Sequence, residues 1–323
     1  MTKAGEVLRE EIQRAGPIPF RRFMEVALYH PEYGYYRRPR DPFGKDGDFY
    51  TAEQVQPVFG ILIARLIAAY RERMGSPGDF TVVELGAGRQ EMAFAFSGVR
   101  YHPVDLDRGQ LPDRFRGVGF ANEFFDALPV DVAVKRGDVF RERLVTFEGN
   151  GFAWVDGPAF TGQYAAYLER YAPAPAEGGV VEIGAAALEW IERVSQTLTS
   201  GYLIVIDYGY QTREMARFPQ GTLMSYRRHQ AIEDVLAEPG ERDITAHVPF
   251  SALIDRATEQ AGLRVERFER MARTLLDIGS PDQFEFVFAG VEPREEMRRR
   301  LQLKTLLFGM GETFHTLVLE KAP

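Results

Sequence analysis

A doubly wound α/β sheet is the fold the sequence predicts, and three observations carry it. The first is the run Thr81-Val82-Val83-Glu84-Leu85, which meets the spaced glycines Gly86 and Gly88 and then EMAFAF (91–96), a segment of helical character; this is a strand, a tight turn and a helix start. The second is a set of further short apolar runs, VRYHPVDL (99–106), VGFAN (118–122) and GYLIVIDYGY (201–210), each ending on acidic or polar residues. The third is helical patterning between and around them. Ligands of open α/β sheets sit outside the carboxyl ends of the strands, so the ends of these runs are where function is sought.

Taken in order, residues 3–15 read as a helix with Leu8 and Ile12 on one side, stopped at Gly16-Pro17, and 20–29 as a second helix. HPEYGYY (30–36) then opens a long loop dense in Pro, Gly and Asp that ends before a helix at about 57–73. Structured loops of that length are usually functional, with a plain surface cover as the bland alternative. Residues 131–156 alternate like antiparallel strands and turn at 149–151. Helices are expected at 160–171 and 184–198, the most hydrophobic strand at 201–210, and a helix at about 250–262. A strand near 263–268, a helix near 291–307 and a closing strand at 314–321 complete the reading. The expected division is an N-terminal helical and lid segment over 1–78, then a main domain over 79–323 with insertions at about 131–180 and 219–250.

Composition narrows the function. At 323 residues, with 45% hydrophobic and 27% charged side chains, the chain has the make-up of a soluble globular protein of about two domains. A net charge of −8 argues against nucleic acid, since phosphate binding needs a basic face, and favours a basic protein or peptide partner. There is no cysteine, hence no disulfide, thiolate metal site or cysteine nucleophile, and no metal centre is expected. The charged N-terminus is no secretory signal, and the apolar stretch VFGILIARLIAAY is interrupted by Arg65 and too short to span a bilayer. A cytoplasmic location is the expectation from these features.

The glycine turn lacks the third glycine of G-x-G-x-x-G, because Glu91 stands there. Glu84 would repel a pyrophosphate but suits a ligand with ammonium or sulfonium charge, such as S-adenosylmethionine (SAM). Asp105 and Asp107 compete for the ribose hydroxyls at the end of the second strand, the loser being a helix cap. Asn122, Glu123 and Asp126 follow the next apolar run; a capping pair is the alternative for the two acids. His247, in DITAHVPF, is a candidate proton acceptor, though a lone histidine is more often structural.

HPEYGYY, DPFG-x-x-GDFYTA, VFG before a helix, ELGAGR, NEFFDALPV, IDYGY, DITAHVPF and GMGETF occur in that order from about Leu8 to Lys321. Together they resemble the MidA-type family of SAM-dependent methyltransferases, relatives of a mitochondrial complex I assembly factor that methylates a protein arginine. The resemblance implies a class I methyltransferase-like sheet, SAM as donor, and a protein substrate such as a respiratory-complex subunit. It adds Gly47, Asp48, Phe49 and Thr51 of the loop, with Glu84, Gly86, Gly88, Asp105, Asp107 and Asn122, as donor-binding residues, and Glu123, Asp126 and His247 as candidate catalytic ones. The 30–52 loop is expected to close over the donor. Residues 85–121 are short for the two helices and two strands such a sheet normally fits there, leaving about two turns for the first crossover helix. That shortening keeps a second reading in play, a catalytically silent relative that binds a partner; a nucleotide-dependent oxidoreductase is disfavoured by the missing glycine and Glu84.

Overall fold

The computed structural model describes residues 1–38, 52–106, 109–173, 175–227 and 230–323. The elements run α1 (Lys3–Ala15), β1 (Ile18–Pro19), α2 (Phe20–Tyr29), α3 (Val58–Arg73), β2 (Thr81–Leu85), β3 (Arg100–Val104), β4 (Phe115–Asn122), β5 (Asp131–Arg136), β6 (Val139–Glu148) and β7 (Gly151–Ala159). They continue as α4 (Gly162–Tyr171), β8 (Val180–Ile183), α5 (Ala185–Thr197), β9 (Leu198–Tyr210), β10 (Met224–Arg227), β11 (Gln230–Ile232), β12 (Asp243–Thr245), β13 (Val248–Pro249), α6 (Phe250–Glu259), β14 (Arg264–Arg270), α7 (Met271–Gly279) and β15 (Phe314–Lys321), with a further helix at Pro293–Thr305. No helix among the described residues is long and apolar enough to cross a membrane.

The chain forms two compact units, each assembled from three separate stretches. One comprises Met1–Tyr50, Asp126–Leu188 and Tyr210–Ala252. Its antiparallel sheet runs β1-β6-β5-β8, with β7 also on β6, and a small second sheet runs β11-β10-β12. The helices α1 and α2 lay Leu8, Phe20, Phe23 and Leu28 on Val132, Val134 and Val145, so the helical start and the inserted strands share one core. Alternation of side chains along β5 and β6 makes that possible: every second residue faces the helices.

The other unit comprises Thr51–Phe125, Glu189–Gly209 and Leu253–Pro323. Its sheet follows β14-β15-β9-β4-β2-β3. Here β2 is parallel to β3 and β4, and β4 to β9. By contrast β15 is antiparallel to both β9 and β14. Helix α3 belongs to this unit, burying Phe59, Leu62, Ile63 and Leu66 with Val82, Val118 and Ile204. The sequence reading had grouped that helix with the N-terminal segment.

One local expectation fails. Residues 91–98 form a succession of turns rather than a helix, and between β2 and β4 the described residues contain one strand and no helix. The stretch is short: a helix must fix a full turn before it gains a hydrogen bond, and only nine residues lie between Gly88 and Gly98. Burial of Met92 and Phe96 anchors the turns instead.

Candidate functional site: a buried carboxylate cluster at the strand ends

The parallel strands β2, β3, β4 and β9 end on one edge, and there the second unit collects acids. Glu84, the fourth residue of β2, is only 1% exposed. Its Oε2 accepts a hydrogen bond from the Tyr101 hydroxyl on β3. Its Oε1 is buried and meets no N–H or O–H donor among the described residues. Asp105 follows β3 and bonds the N–H of Leu106 at 2.7 Å, adding negative charge toward Glu84.

Glu123 follows β4 in a left-handed conformation, φ 48°, uncommon for a residue with a side chain. Two hydrogen bonds fix it: its backbone N–H donates to Ile206 O on β9 at 3.0 Å, and its Oε1 accepts from Ala52 N at 2.7 Å. The Asn122 amide also donates to that oxygen, at 3.1 Å, while Asn122 Oδ1 is buried without a hydrogen-bond partner among the described residues. Backbone strain of this kind gathers where a side chain must be aimed.

The bond to Ala52 brings in Glu53, a residue the sequence reading left out. Glu53 is 9% exposed and its carboxyl lies against that of Glu84. Burial pushes Glu53 well above the usual carboxylate range, reinforced by the charges of Glu84, Glu123 and Glu91. Glu84 is raised to about 7, chiefly by burial, against the hydrogen bond from Tyr101. A carboxyl in contact with another carboxyl is stable only when one of them carries a proton. The signal that could have found Glu53 was its place directly after GDFYTA, at the edge of a motif cut one residue short.

The glycine turn differs from expectation in how it works. With no helix after it, no helix N-terminus faces the site, and the Gly86 and Ala87 N–H groups donate to Val104 O at 2.9 and 3.2 Å. Gly86 has φ +69°, and a Cβ there would come within 2.8 Å of the Phe124 ring, so a side chain at 86 would disturb the protein's own packing before it met a ligand. Gly88 shares the left-handed backbone, φ 45°. Gln56 braces the turn from α3's side, its amide donating to Met92 Sδ at 3.3 Å.

Two of the expected catalytic residues belong to the first unit. Asp126 is buried, and its backbone carbonyl accepts from Ala246 N at 2.9 Å. Near it, the Tyr29 hydroxyl donates to Ala127 O at 2.6 Å, and Tyr36, stacked on Tyr29, donates to Asp243 at 2.9 Å. The His247 ring sits edge-on to Phe218, and its backbone N–H donates to Thr222 Oγ1 at 2.9 Å. Burial, with the Arg217 charge, lowers its pKa to about 4, so the ring is neutral at pH 7 and a weak base. Gly47, Asp48, Phe49, Thr51 and Asp107, and residues 39–51 of the expected lid with them, lie outside the described residues.

Residues 95–269, just over half of the chain, match the family model described as "Putative S-adenosyl-L-methionine-dependent methyltransferase". A crystal structure of a Burkholderia thailandensis protein bound to S-adenosylhomocysteine is 30% identical, with a TM-score of 0.86, over 98% of this chain and 92% of that one. A ligand-free structure from the same organism gives 31% and 0.85, over 98% and 91%. The mitochondrial protein arginine methyltransferase NDUFAF7 homolog of Drosophila melanogaster is 27% identical, covering 88% of this chain and 79% of its own length. The human mitochondrial protein arginine methyltransferase NDUFAF7 is also 27% identical, covering 76% and 67%. These relatives are mitochondrial by name, which overturns the cytoplasmic location expected from the sequence.

Proposed function

Since the chain belongs to the MidA-like family of SAM-dependent methyltransferases, we propose that it transfers the methyl group to an arginine side chain of a protein partner. The observation that carries the acceptor is the naming of the curated relatives as protein arginine methyltransferases. A respiratory-complex subunit is the kind of partner the family resemblance suggests.

The residues at the strand ends suit the donor. Its methionine end carries an ammonium and a sulfonium against one carboxylate, a net positive charge, and the second unit offers Glu84 Oε1 and Asn122 Oδ1 as buried acceptors with no donor among the described residues. We assign Glu84, Glu53 and Asn122 to that end and Asp105 to the ribose. Bound there, SAM supplies an electrophilic methyl on a positively charged sulfur.

A guanidinium is a poor nucleophile because its lone pairs are delocalised and it is protonated, so the protein must orient it and stabilise the charge that remains on the nitrogen that does not react. Glu123 is the carboxylate we assign to that task, since its strained backbone and its bond from Ala52 N fix its position. For Asp126 we give the role of holding the chain at 126 against 246. His247 has no part in proton transfer in this reading, because its low pKa and packed ring leave it a structural group.

Glu123→Gln tests the assignment, because the amide oxygen still accepts from Ala52 N while the charge is lost. With labelled SAM and a protein extract of the source cells, methylarginine formation should fall at least about tenfold, a loss of roughly 1.4 kcal/mol in the transition state. SAM affinity should change little. Undiminished transfer would remove Glu123 from the chemistry. The missing crossover helix favours the second reading, a silent partner-binding relative; it takes over if the wild type binds neither SAM nor its product.

A further inference from the structure

The contact between Glu53 and Glu84 raises a question of proton number. Two ionised carboxylates do not hydrogen-bond, since each offers only acceptors. Among the described residues no cation holds both ionised: the charged groups acting most strongly on either are Glu123 at the end of β4, Glu91 after the glycine turn and Asp105 after β3, all acidic. Glu91 has a partner of its own in Arg89. Tyr101 serves Glu84 Oε2 alone, leaving Oε1 without a donor among the described residues unless Glu53 brings one. Asn122 Oδ1, at the end of the neighbouring strand β4, is likewise buried without a donor among the described residues.

We propose that Glu53 and Glu84 share one proton in the ligand-free protein and surrender it to solvent when they take up the cationic end of SAM, so that donor loading and proton release are one event. The proposal rests on the donor-site reading above and adds to it a residue, Glu53, and a mechanism for exchange. The incoming charge replaces the proton as the counterion of the pair. After transfer the sulfur is neutral, the pair loses part of what keeps it ionised, and it takes a proton back from solvent. The product is thereby held less tightly than the donor, which favours turnover. The high pKa of both acids agrees with this, being the behaviour of coupled groups that titrate as a unit.

Calorimetric titration of the full chain with SAM, in buffers of different ionisation enthalpy, reads the proton directly. At about pH 6, roughly one proton should leave per donor bound, and affinity should rise by up to about tenfold per pH unit until the pair is already ionised. S-adenosylhomocysteine should release fewer. Glu53→Gln, which offers Glu84 an amide donor and cannot share a proton, should fold, bind SAM more weakly and release no proton. Binding of SAM by the wild type without proton release, or proton release that survives in Glu53→Gln, would overturn the proposal while leaving the donor site intact. Failure of the wild type to bind SAM at any pH would bring down the donor-site reading itself, and the proposal with it.

Discussion

Two glutamates with nearly the same local sequence have different surroundings. Glu84 stands in TVVEL on β2 and Glu182 in VVEI on β8, and each is buried among mostly apolar neighbours on its strand, 1% and 3% exposed. Glu182 is met by donors: Thr222 N at 2.8 Å, Thr222 Oγ1 at 3.1 Å and Leu223 N at 3.3 Å. Glu84 is met by one phenol and a second acid. Burial raises both pKa values, but at Glu182 the hydrogen bonds from Thr222 and Leu223 work against it. Burial of a carboxylate therefore does not mark a site by itself; the shortage of donors does.

The largest effect expected is at the satisfied member. Glu182→Ala leaves three buried donors without an acceptor and should cost roughly 3 kcal/mol of unfolding free energy, read from denaturant titration. SAM affinity of the folded fraction should be unchanged. If stability holds, the difference in donors is not what separates the two glutamates.

Next comes the pH dependence of stability. Glu84 in the folded protein titrates at about 7, above its unfolded value of 4.5, so the folded state holds the proton over that window and the unfolded state does not. Stability should therefore fall as pH rises from about 4.5 to about 7, by up to roughly 3 kcal/mol. Glu84→Gln should flatten the curve, and saturating SAM should flatten it too. An unchanged curve in Glu84→Gln would show that folding does not raise the Glu84 pKa.

The smallest change is Tyr101→Phe. It removes the one hydroxyl that favours ionised Glu84, so the titration should move upward and stability near neutral pH should drop by about 1 kcal/mol. Carboxyl infrared absorption across the titration would follow it.

The middle of the second unit's sheet was legible because its strands carry apolar runs: Thr81–Leu85 is a strand as read, and the run at 118–122 is the second half of β4. Helices α1 and α2 fall where their apolar spacing and Gly16-Pro17 put them. EMAFAF misled because composition says nothing of available length. Helix α7 and strand β8 were missed, the first because MARTLLDIG follows β14 with no break to announce it. Glu53 stands beside a legible motif, GDFYTA, but in a polar loop an acid reads as solvated, and only the folded chain shows it against Glu84. The donor-starved surroundings of Glu84, unlike its charge, depend on contacts far apart in sequence.

The position of β15 has a consequence for how the second unit is made. Residues 314–321 lie between β9 and β14, eight residues in register with β9 from Phe314↔Tyr208 to Lys321↔Gly201. Until that strand arrives, β9 has an open edge, with Leu203 to Ile206 as its apolar middle. An apolar edge is a template for pairing with other chains, and a pairing this distant in sequence forms slowly. The synthesis of this protein therefore passes through a stage in which its most hydrophobic strand is aggregation-prone, and a chaperone that covers residues 201–210 would raise the yield of folded chain more than one acting on α1 or α2.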